Sequence, residues 1–130
     1  MPFERWWVLV VAVAGLAASG CADARADAVA SVANSFSAAL SGGDLAGACT
    51  LLAPATRARL EAARSCREAL AQDRIRGAAV VSSQVWGDRA QVQTAADTLF
   101  LNETAEGWKV AAAGCQPRTD APYVCQLEGP

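Results

Sequence analysis

Few side chains of this 130-residue chain could carry out acid–base chemistry, because the sequence contains no histidine. Histidine is the commonest general acid or base, so its absence excludes Ser-His and Cys-His catalytic pairs and removes the commonest metal ligand. The remaining candidates are the four carboxylates near the predicted strands and the only tyrosine, namely Asp88, Asp97, Glu103, Glu106 and Tyr123. A carboxylate that acts as a base needs dry surroundings that raise its pKa. The sequence marks none of the four in this way, so we predict no catalytic residue and no metal site.

Asp97 is the carboxylate whose surroundings the sequence predicts most directly. From Arg89 onward polar and apolar residues alternate, and Asp97 has the parity of Arg89, Gln91 and Gln93. Successive residues of a strand point to opposite faces of the sheet, so this parity predicts that Asp97 faces water with an ordinary pKa. A bulge before Leu99 would reverse the parity and turn the carboxylate inward.

Residues 1–20 have the organisation of an export signal. Arg5 precedes an unbroken apolar run from Trp6 to Ala18, which is long enough for a signal peptide and short for crossing a bilayer. Small residues then lead directly to Cys21. The stretch Ala-Ala-Ser-Gly-Cys resembles a bacterial lipobox, with alanine at the position three before the cysteine, where leucine is usual. The resemblance implies that residues 1–20 are removed and that Cys21 becomes a diacylated N-terminus.

This interpretation places the protein at the extracytoplasmic face of a bacterial cell membrane, as a lipoprotein anchored through Cys21. Two alternatives remain open. An ordinary signal peptidase could cut after Ala24, because residues 22–24 have the small-x-small form Ala-Asp-Ala. The apolar segment could also remain as an uncleaved anchor.

The cysteines are odd in number, five in all, which in an exported protein leaves one without a disulfide partner. Lipidation of Cys21 accounts for it and leaves four, which allow three pairings. We expect the local pairs Cys49–Cys66 and Cys115–Cys125, the first within the helical half and the second at the C-terminal end. By the loop-closure argument, spans of this length would each contribute about 3 kcal/mol to stability. The sequence has no C-x-x-C spacing, which disfavours a redox or zinc role.

Helices are predicted for the first half of the mature chain. Between residues 23 and 40 apolar side chains recur at spacings of three and four, which aligns them on one helix face. Asp44, after a Ser-Gly-Gly stop, can cap a second helix, and Ser65 with Glu68 forms a capping-box pattern. The predicted helices are 23–40, 44–52, 56–63 and 65–72.

Strands are predicted for the second half, where the spacing of apolar residues changes to two. The dipeptide Gly87-Asp88 is typical of a tight hairpin turn, and residues 103–107 would form the loop of a second hairpin. The predicted strands are 78–86, 89–97, 99–102 and 108–113, followed by a tail, 114–130, that its own disulfide would hold. Helices followed by an antiparallel meander indicate a single α+β domain over residues 21–130.

This order of elements, together with the stretches Leu99–Leu101, Gly107–Cys115 and Pro122–Cys125, resembles small secreted lipoproteins of GC-rich Gram-positive bacteria. Those proteins are thought to adopt the nuclear-transport-factor-2-like fold, in which N-terminal helices pack on a curved, cone-shaped antiparallel sheet. The resemblance implies this fold and a cell-envelope location. It implies no activity, because function depends on the site rather than on the fold.

Such a cone often encloses a pocket between its helices and its sheet. The large apolar residues that could line it are Phe36, Leu40, Trp86, Leu99, Leu101 and Trp108. The other interpretation is that these side chains pack against each other, because a domain of this size needs nearly all of them for its core. Trp86, beside a turn, is the one most suited to an exposed binding surface.

The charge pattern narrows the class of partner. A net charge of −2 without a basic stripe gives no footprint for nucleic acid, and the arginines of residues 57–67 alternate with acids that could form local ion pairs. We therefore expect a non-enzymatic binding or accessory domain without a cofactor, and its binding partner would be a protein or a small apolar ligand. The alternative is a cone-fold isomerase- or cyclase-like enzyme acting on a small apolar substrate through Asp97 or another carboxylate.

Overall fold

The computed structural model describes residues 19–120 and 122–129, with side chains from Ala24 onward. The predicted signal peptide falls almost wholly outside this part of the chain, and so does the side chain of Cys21, the predicted lipidation site. Within the described ranges, no helix has both the length and the hydropathy needed to cross a membrane. The elements are α1 (Ser19–Ser41), α2 (Leu45–Thr50), α3 (Pro54–Glu61), α4 (Cys66–Gln72), β1 (Val80–Trp86), β2 (Arg89–Thr94), β3 (Thr98–Thr104), β4 (Gly107–Gln116) and β5 (Val124–Glu128).

The helices form where their caps and apolar spacing predict them. Val29 and Phe36, two turns apart on α1, are fully buried. Helix α1 ends at Ser41. The side chain of Asp44 then accepts a hydrogen bond of 3.0 Å from the backbone N–H of Gly47 and caps α2. Ser65 caps α4 in the same way, so both predicted caps are confirmed.

The strands form one antiparallel sheet in the order β1-β2-β3-β4-β5. Trp86 pairs with Arg89 across the predicted two-residue turn, in which Gly87 has a positive φ of 57°, as such hairpins require. The prediction that residues 114–130 form a tail beyond the last strand, held by its own disulfide, is right about the disulfide and wrong about the strands. Residues 124–128 form β5, a short strand paired with β4 that buries Leu127.

The helices pack on one face of this open sheet, which confirms the predicted α+β class. Phe36 of α1 shares a core cluster with Val92, Leu101 and Val110 of the three central strands. The disulfide Cys49–Cys66 joins α2 to α4, and Cys115–Cys125 joins β4 to β5. Both predicted pairings are therefore confirmed.

On the side away from β3, strand β4 has two different neighbours along its length. Near Val110 it is bridged by the connection between α2 and α3, since Ala53 N–H donates to Val110 O at 2.7 Å. From Ala112 onward β5 pairs with it instead. The Thr56 hydroxyl and the Gly129 N–H both donate to Ala111 O, at 2.8 and 3.0 Å. This junction brings the start of α3 beside the sheet.

Candidate functional site

The residues predicted to line a pocket lie mostly in the core instead. Phe36, Leu99, Leu101 and Trp108 are buried in one cluster, and Leu40 packs against its edge. Trp86 lies outside this cluster, with 55% of its surface exposed. Of the six predicted residues, Trp86 and Leu101 line a cleft described below, whereas the other four lie in or against the packed core. The physical reason is that a small domain needs its large apolar side chains to fill the space between helices and sheet.

A cleft of about 390 Å³, which we call the Trp86 cleft, opens where the start of α3 meets the sheet. Trp86, Arg89 and Asn102 form a row of directly paired residues across β1, β2 and β3. They point away from the helices, because their neighbours Ala90 and Leu101 point into the core. The other residues that line the cleft include Ala53, Ala55, Thr56, Phe100, Ala111, Ala112 and Glu128.

The walls of the Trp86 cleft combine two aromatic rings with small side chains. Trp86 and Phe100 provide apolar surface, and alanines of α3 and β4 leave the space between them open. Arg89 and Glu128 place one positive and one negative charge at the cleft. This arrangement can hold an apolar group and can also hydrogen-bond a polar end of the same ligand.

Tyr123 holds the segment before β5 against the sheet. Its ring meets Phe100 edge to face, with 5.2 Å between ring centroids. Its hydroxyl accepts a hydrogen bond of 3.3 Å from Nε2 of Gln91. These contacts explain why a segment without regular structure remains attached to the outer face of the sheet.

A second cleft, of about 440 Å³, lies at the opposite end of β2 and is here called the Asp97 cleft. Three connections meet there: α4 to β1, β2 to β3, and β4 to β5. The polar residues that line it are Arg74, Arg76, Asp97, Gln116, Arg118 and Gln126. The disulfide-bonded Cys125 forms part of its wall.

The prediction that Asp97 continues the alternation of β2 is wrong, because the strand ends at Thr94. There the Thr94 N–H donates to Asp97 O at 2.8 Å, and the Thr94 hydroxyl accepts from the Asp97 N–H at 3.0 Å. These bonds close a tight turn in which strand parity no longer applies. As a result Asp97 is half-buried rather than exposed.

The carboxylate of Asp97 is held in a fixed position. Burial raises the pKa of this carboxyl above its ordinary value, and hydrogen bonds from the Thr94 hydroxyl and the Gly114 N–H act in the opposite direction. The Thr94 hydroxyl lies 2.9 Å from Asp97 Oδ1. Gly114 has a positive φ of 66°, and a Cβ there would lie 2.5 Å from the side chain of Gln126. Glycine at this position therefore lets the two strands approach and the N–H reach the carboxylate.

The arginines of the Asp97 cleft could not be recognised from sequence. Arg74 and Arg118 lie far apart in the chain and meet only because three loops converge. Of the local ion pairs expected among residues 57–67, one forms within the segment and one arginine pairs outside it. Arg57 pairs with Glu61 at 2.8 Å, and Arg64 pairs with Asp73 at 2.9 Å rather than with Glu61.

The two clefts differ in chemistry as well as in position. The Trp86 cleft is aromatic and lies beside the turn between β1 and β2, whereas the Asp97 cleft is rich in arginine and lies beside the turn between β2 and β3. Comparisons with protein-family models, with curated proteins and with solved structures found no match to this chain. The chemistry of the two clefts is therefore the basis for assigning a function.

Proposed function

We propose that this chain is a lipoprotein of the bacterial cell envelope, anchored through Cys21, whose domain binds a small apolar ligand in the Trp86 cleft without transforming it. The observation that carries the proposal is the exposure of Trp86 above a cleft of about 390 Å³. Tryptophan is enriched among the residues that dominate binding energies, and Phe100 and several alanines extend its apolar surface into the cleft.

The size and surface of the cleft support a small ligand. Its volume lies within the range of small-molecule sites, roughly 300 to 1,000 Å³. The exposed part of Trp86 corresponds to roughly 130 Å² of surface. Covering that area would contribute about 3 kcal/mol, which is a substantial share of a micromolar binding free energy of about 8 kcal/mol.

The start of α1 supports the proposed membrane anchor. The Arg25 guanidinium donates to Gly87 O and to Glu103 Oε2, and it lies 5.5 Å from the centroid of the Trp108 ring. These contacts hold α1 beside the turn that follows Trp86. Cys21 precedes Arg25 by about one helical turn, roughly 6 Å along the axis. A lipid on Cys21 would therefore bring the Trp86 cleft near the bilayer, where apolar ligands concentrate.

The two disulfides support an exported location, because such bonds persist in oxidising compartments. As part of the same proposal we assign the nuclear-transport-factor-2-like fold. It is supported by helices packed on one face of an antiparallel sheet and by the register shifts between β3 and β4. Such shifts bend a sheet.

One observation favours the alternative, an isomerase- or cyclase-like enzyme that uses Asp97 as a base. Burial raises the pKa of Asp97 beside an open cleft, and a raised pKa suits a base that works near neutral pH. The hydroxyl that contacts Asp97, however, is that of Thr94, and it donates to the carboxylate. The hydroxyl of Tyr123 is bonded to Gln91 and its ring packs on Phe100, so Tyr123 does not line the Asp97 cleft.

The binding proposal is tested with the oxidised mature domain and N-phenyl-naphthylamine, a fluorescent apolar probe. Substitution of Trp86 by alanine should weaken probe binding by at least about tenfold, because most of the apolar surface is lost. Val81→Ala is the matched control, since Val81 is also a highly exposed apolar residue of β1 but does not line the cleft. Equal affinities for the two variants would contradict the proposal.

The anchoring proposal is tested by mass spectrometry of the protein purified from native membranes. We expect an N-terminal Cys21 carrying a diacylglycerol thioether. Cys21→Ala should abolish that modification and release the domain or leave an unprocessed precursor. A mature N-terminus at Arg25 would show that an ordinary signal peptidase acts instead.

A further inference from the structure

Three arginines from two distant segments of the chain converge on the Asp97 cleft. Arg74 and Arg76 come from the connection between α4 and β1, and Arg118 comes from the connection between β4 and β5. The disulfide Cys115–Cys125 closes the loop that carries Arg118. The fold thus concentrates positive charge in a concave site of about 440 Å³.

These guanidinium groups are available to a ligand. Among the described residues, Arg25, Arg57 and Arg64 form ion pairs with carboxylates, whereas none of the three arginines of the cleft does. No ion pair joins them to Asp97, although Asp97 lines the same cleft. The positive charges of the three arginines are therefore not neutralised by ion pairs within the described residues.

The backbone conformation at Arg74 also supports a binding role for its guanidinium group. Arg74 follows the C-cap residue Asp73 of α4 and has a φ of 50°, in the left-handed region. Glycine is the ordinary residue at this position of a helix end, because any side chain is strained there. Arg74 is exposed and gains little from packing, so the fold accepts strain at a position that holds a cationic side chain at the cleft.

We propose that the Asp97 cleft binds a small dianion, a phosphate monoester, between Arg74, Arg76 and Arg118. The three guanidinium groups and the one carboxylate leave two net positive charges, which match the near-double charge of a phosphate monoester at neutral pH. Guanidinium groups bind phosphate oxygens through paired hydrogen bonds. Asp97, fixed by Thr94, can accept a hydrogen bond from a hydroxyl group of the same ligand.

The position of the cleft favours a soluble phosphate over a lipid headgroup. Ala95, one residue before the cleft-lining Ala96, bonds to Ala79 O. Ala79 is two residues from Gly77, and Gly77 touches Ser37 and Ser41 at the C-terminal end of α1. Cys21 lies at the other end of this helix. The Asp97 cleft is therefore at the end of the domain away from the proposed lipid anchor. The proposed site shares no lining residue with the Trp86 cleft and lies at the other end of β2.

The test is a titration of the oxidised mature domain with glycerol 3-phosphate, followed by backbone amide shifts in NMR spectra. We expect the amides of Gly114 and Gln116 to shift and that of Gly87 to stay unchanged. Arg74→Gly should weaken binding about tenfold, the loss expected for one charge-assisted contact, while the melting temperature is unchanged or raised because the strain is relieved. The control Arg67→Gln removes an equal charge from an exposed residue of α4 outside the cleft and should alter the affinity less than about twofold.

Four results would overturn the proposal. The first is the absence of amide shifts at about 10 mM ligand, where a site of millimolar dissociation constant is mostly occupied. The second is equal weakening by Arg74→Gly and Arg67→Gln, which would indicate general charge attraction. The third is equal binding of singly charged methyl sulfate. Sedimentation with vesicles containing phosphatidic acid distinguishes a soluble phosphate monoester from a lipid headgroup. The fourth result is binding to these vesicles without binding of glycerol 3-phosphate, which would contradict a soluble ligand.

Discussion

Removal of the disulfide Cys49–Cys66 tests how far this domain depends on an oxidising compartment. The bond links α2 to α4 across a separation of 17 residues, and both cysteines are almost fully buried, at 2% and 4% exposure. Loss of the loop-closure constraint in the unfolded chain costs about 3 kcal/mol for a span of this length. A domain of this size has a total stability of about 5 to 15 kcal/mol. The double variant Cys49→Ala, Cys66→Ala should therefore lose a large fraction of its stability.

The assay is urea denaturation of the oxidised mature domain, followed by circular dichroism. The matched variant is Cys115→Ala with Cys125→Ala, whose span of 10 residues predicts a similar loss of about 2.7 kcal/mol. Treatment of the wild type with a thiol reductant should reproduce the combined loss. A loss below about 1 kcal/mol for Cys49→Ala, Cys66→Ala would refute the loop-closure reasoning, since packing alone would then hold α2 against α4.

Two further substitutions test the neighbourhood of the Asp97 cleft. Because burial raises the pKa of Asp97, the folded state binds its proton more tightly, so stability should fall as pH rises from the ordinary value of 3.8 through the raised value. Urea midpoints at acid and neutral pH should show this fall in the wild type but not in Asp97→Asn, and a fall of equal size in both would exclude Asp97 as its source. Gly77→Ala would place a Cβ 2.0 Å from Ser37 O on α1 and should cost more than about 2 kcal/mol. Gly42→Ala, with its nearest contact at 3.2 Å, should cost far less in the same denaturation assay.

Features that depend on neighbouring residues could be predicted from the sequence. The caps at Asp44 and Ser65 act within one helical turn, and the turn at Gly87 needs only two residues. The pairing Cys49–Cys66 follows from the short span between the two cysteines. In each case the physical cause lies within a few residues or a short loop.

Features that depend on distant contacts could not be predicted. Strand β5 is only five residues long and buries Leu127 against a sheet that forms elsewhere in the chain. The prediction from strand parity that Asp97 faces water is wrong, because the turn at Thr94 ends β2 three residues earlier. The clefts could not be seen at all, because their walls come from segments that meet only after folding.

The hydrogen bonds of Arg25 to Gly87 and Glu103 fix the start of α1 to the domain. In a lipid-anchored molecule, this attachment affects how strongly the charge of the membrane acts on the Asp97 cleft. The part of α1 from Cys21 to Ser41 then acts as a rigid spacer of about 30 Å from the anchored end. The surface potential of anionic lipids decays over a Debye length of about 8 Å at physiological ionic strength. A dianion approaching the Asp97 cleft at the far end of this spacer would therefore meet almost none of the repulsion that it would meet at the bilayer surface.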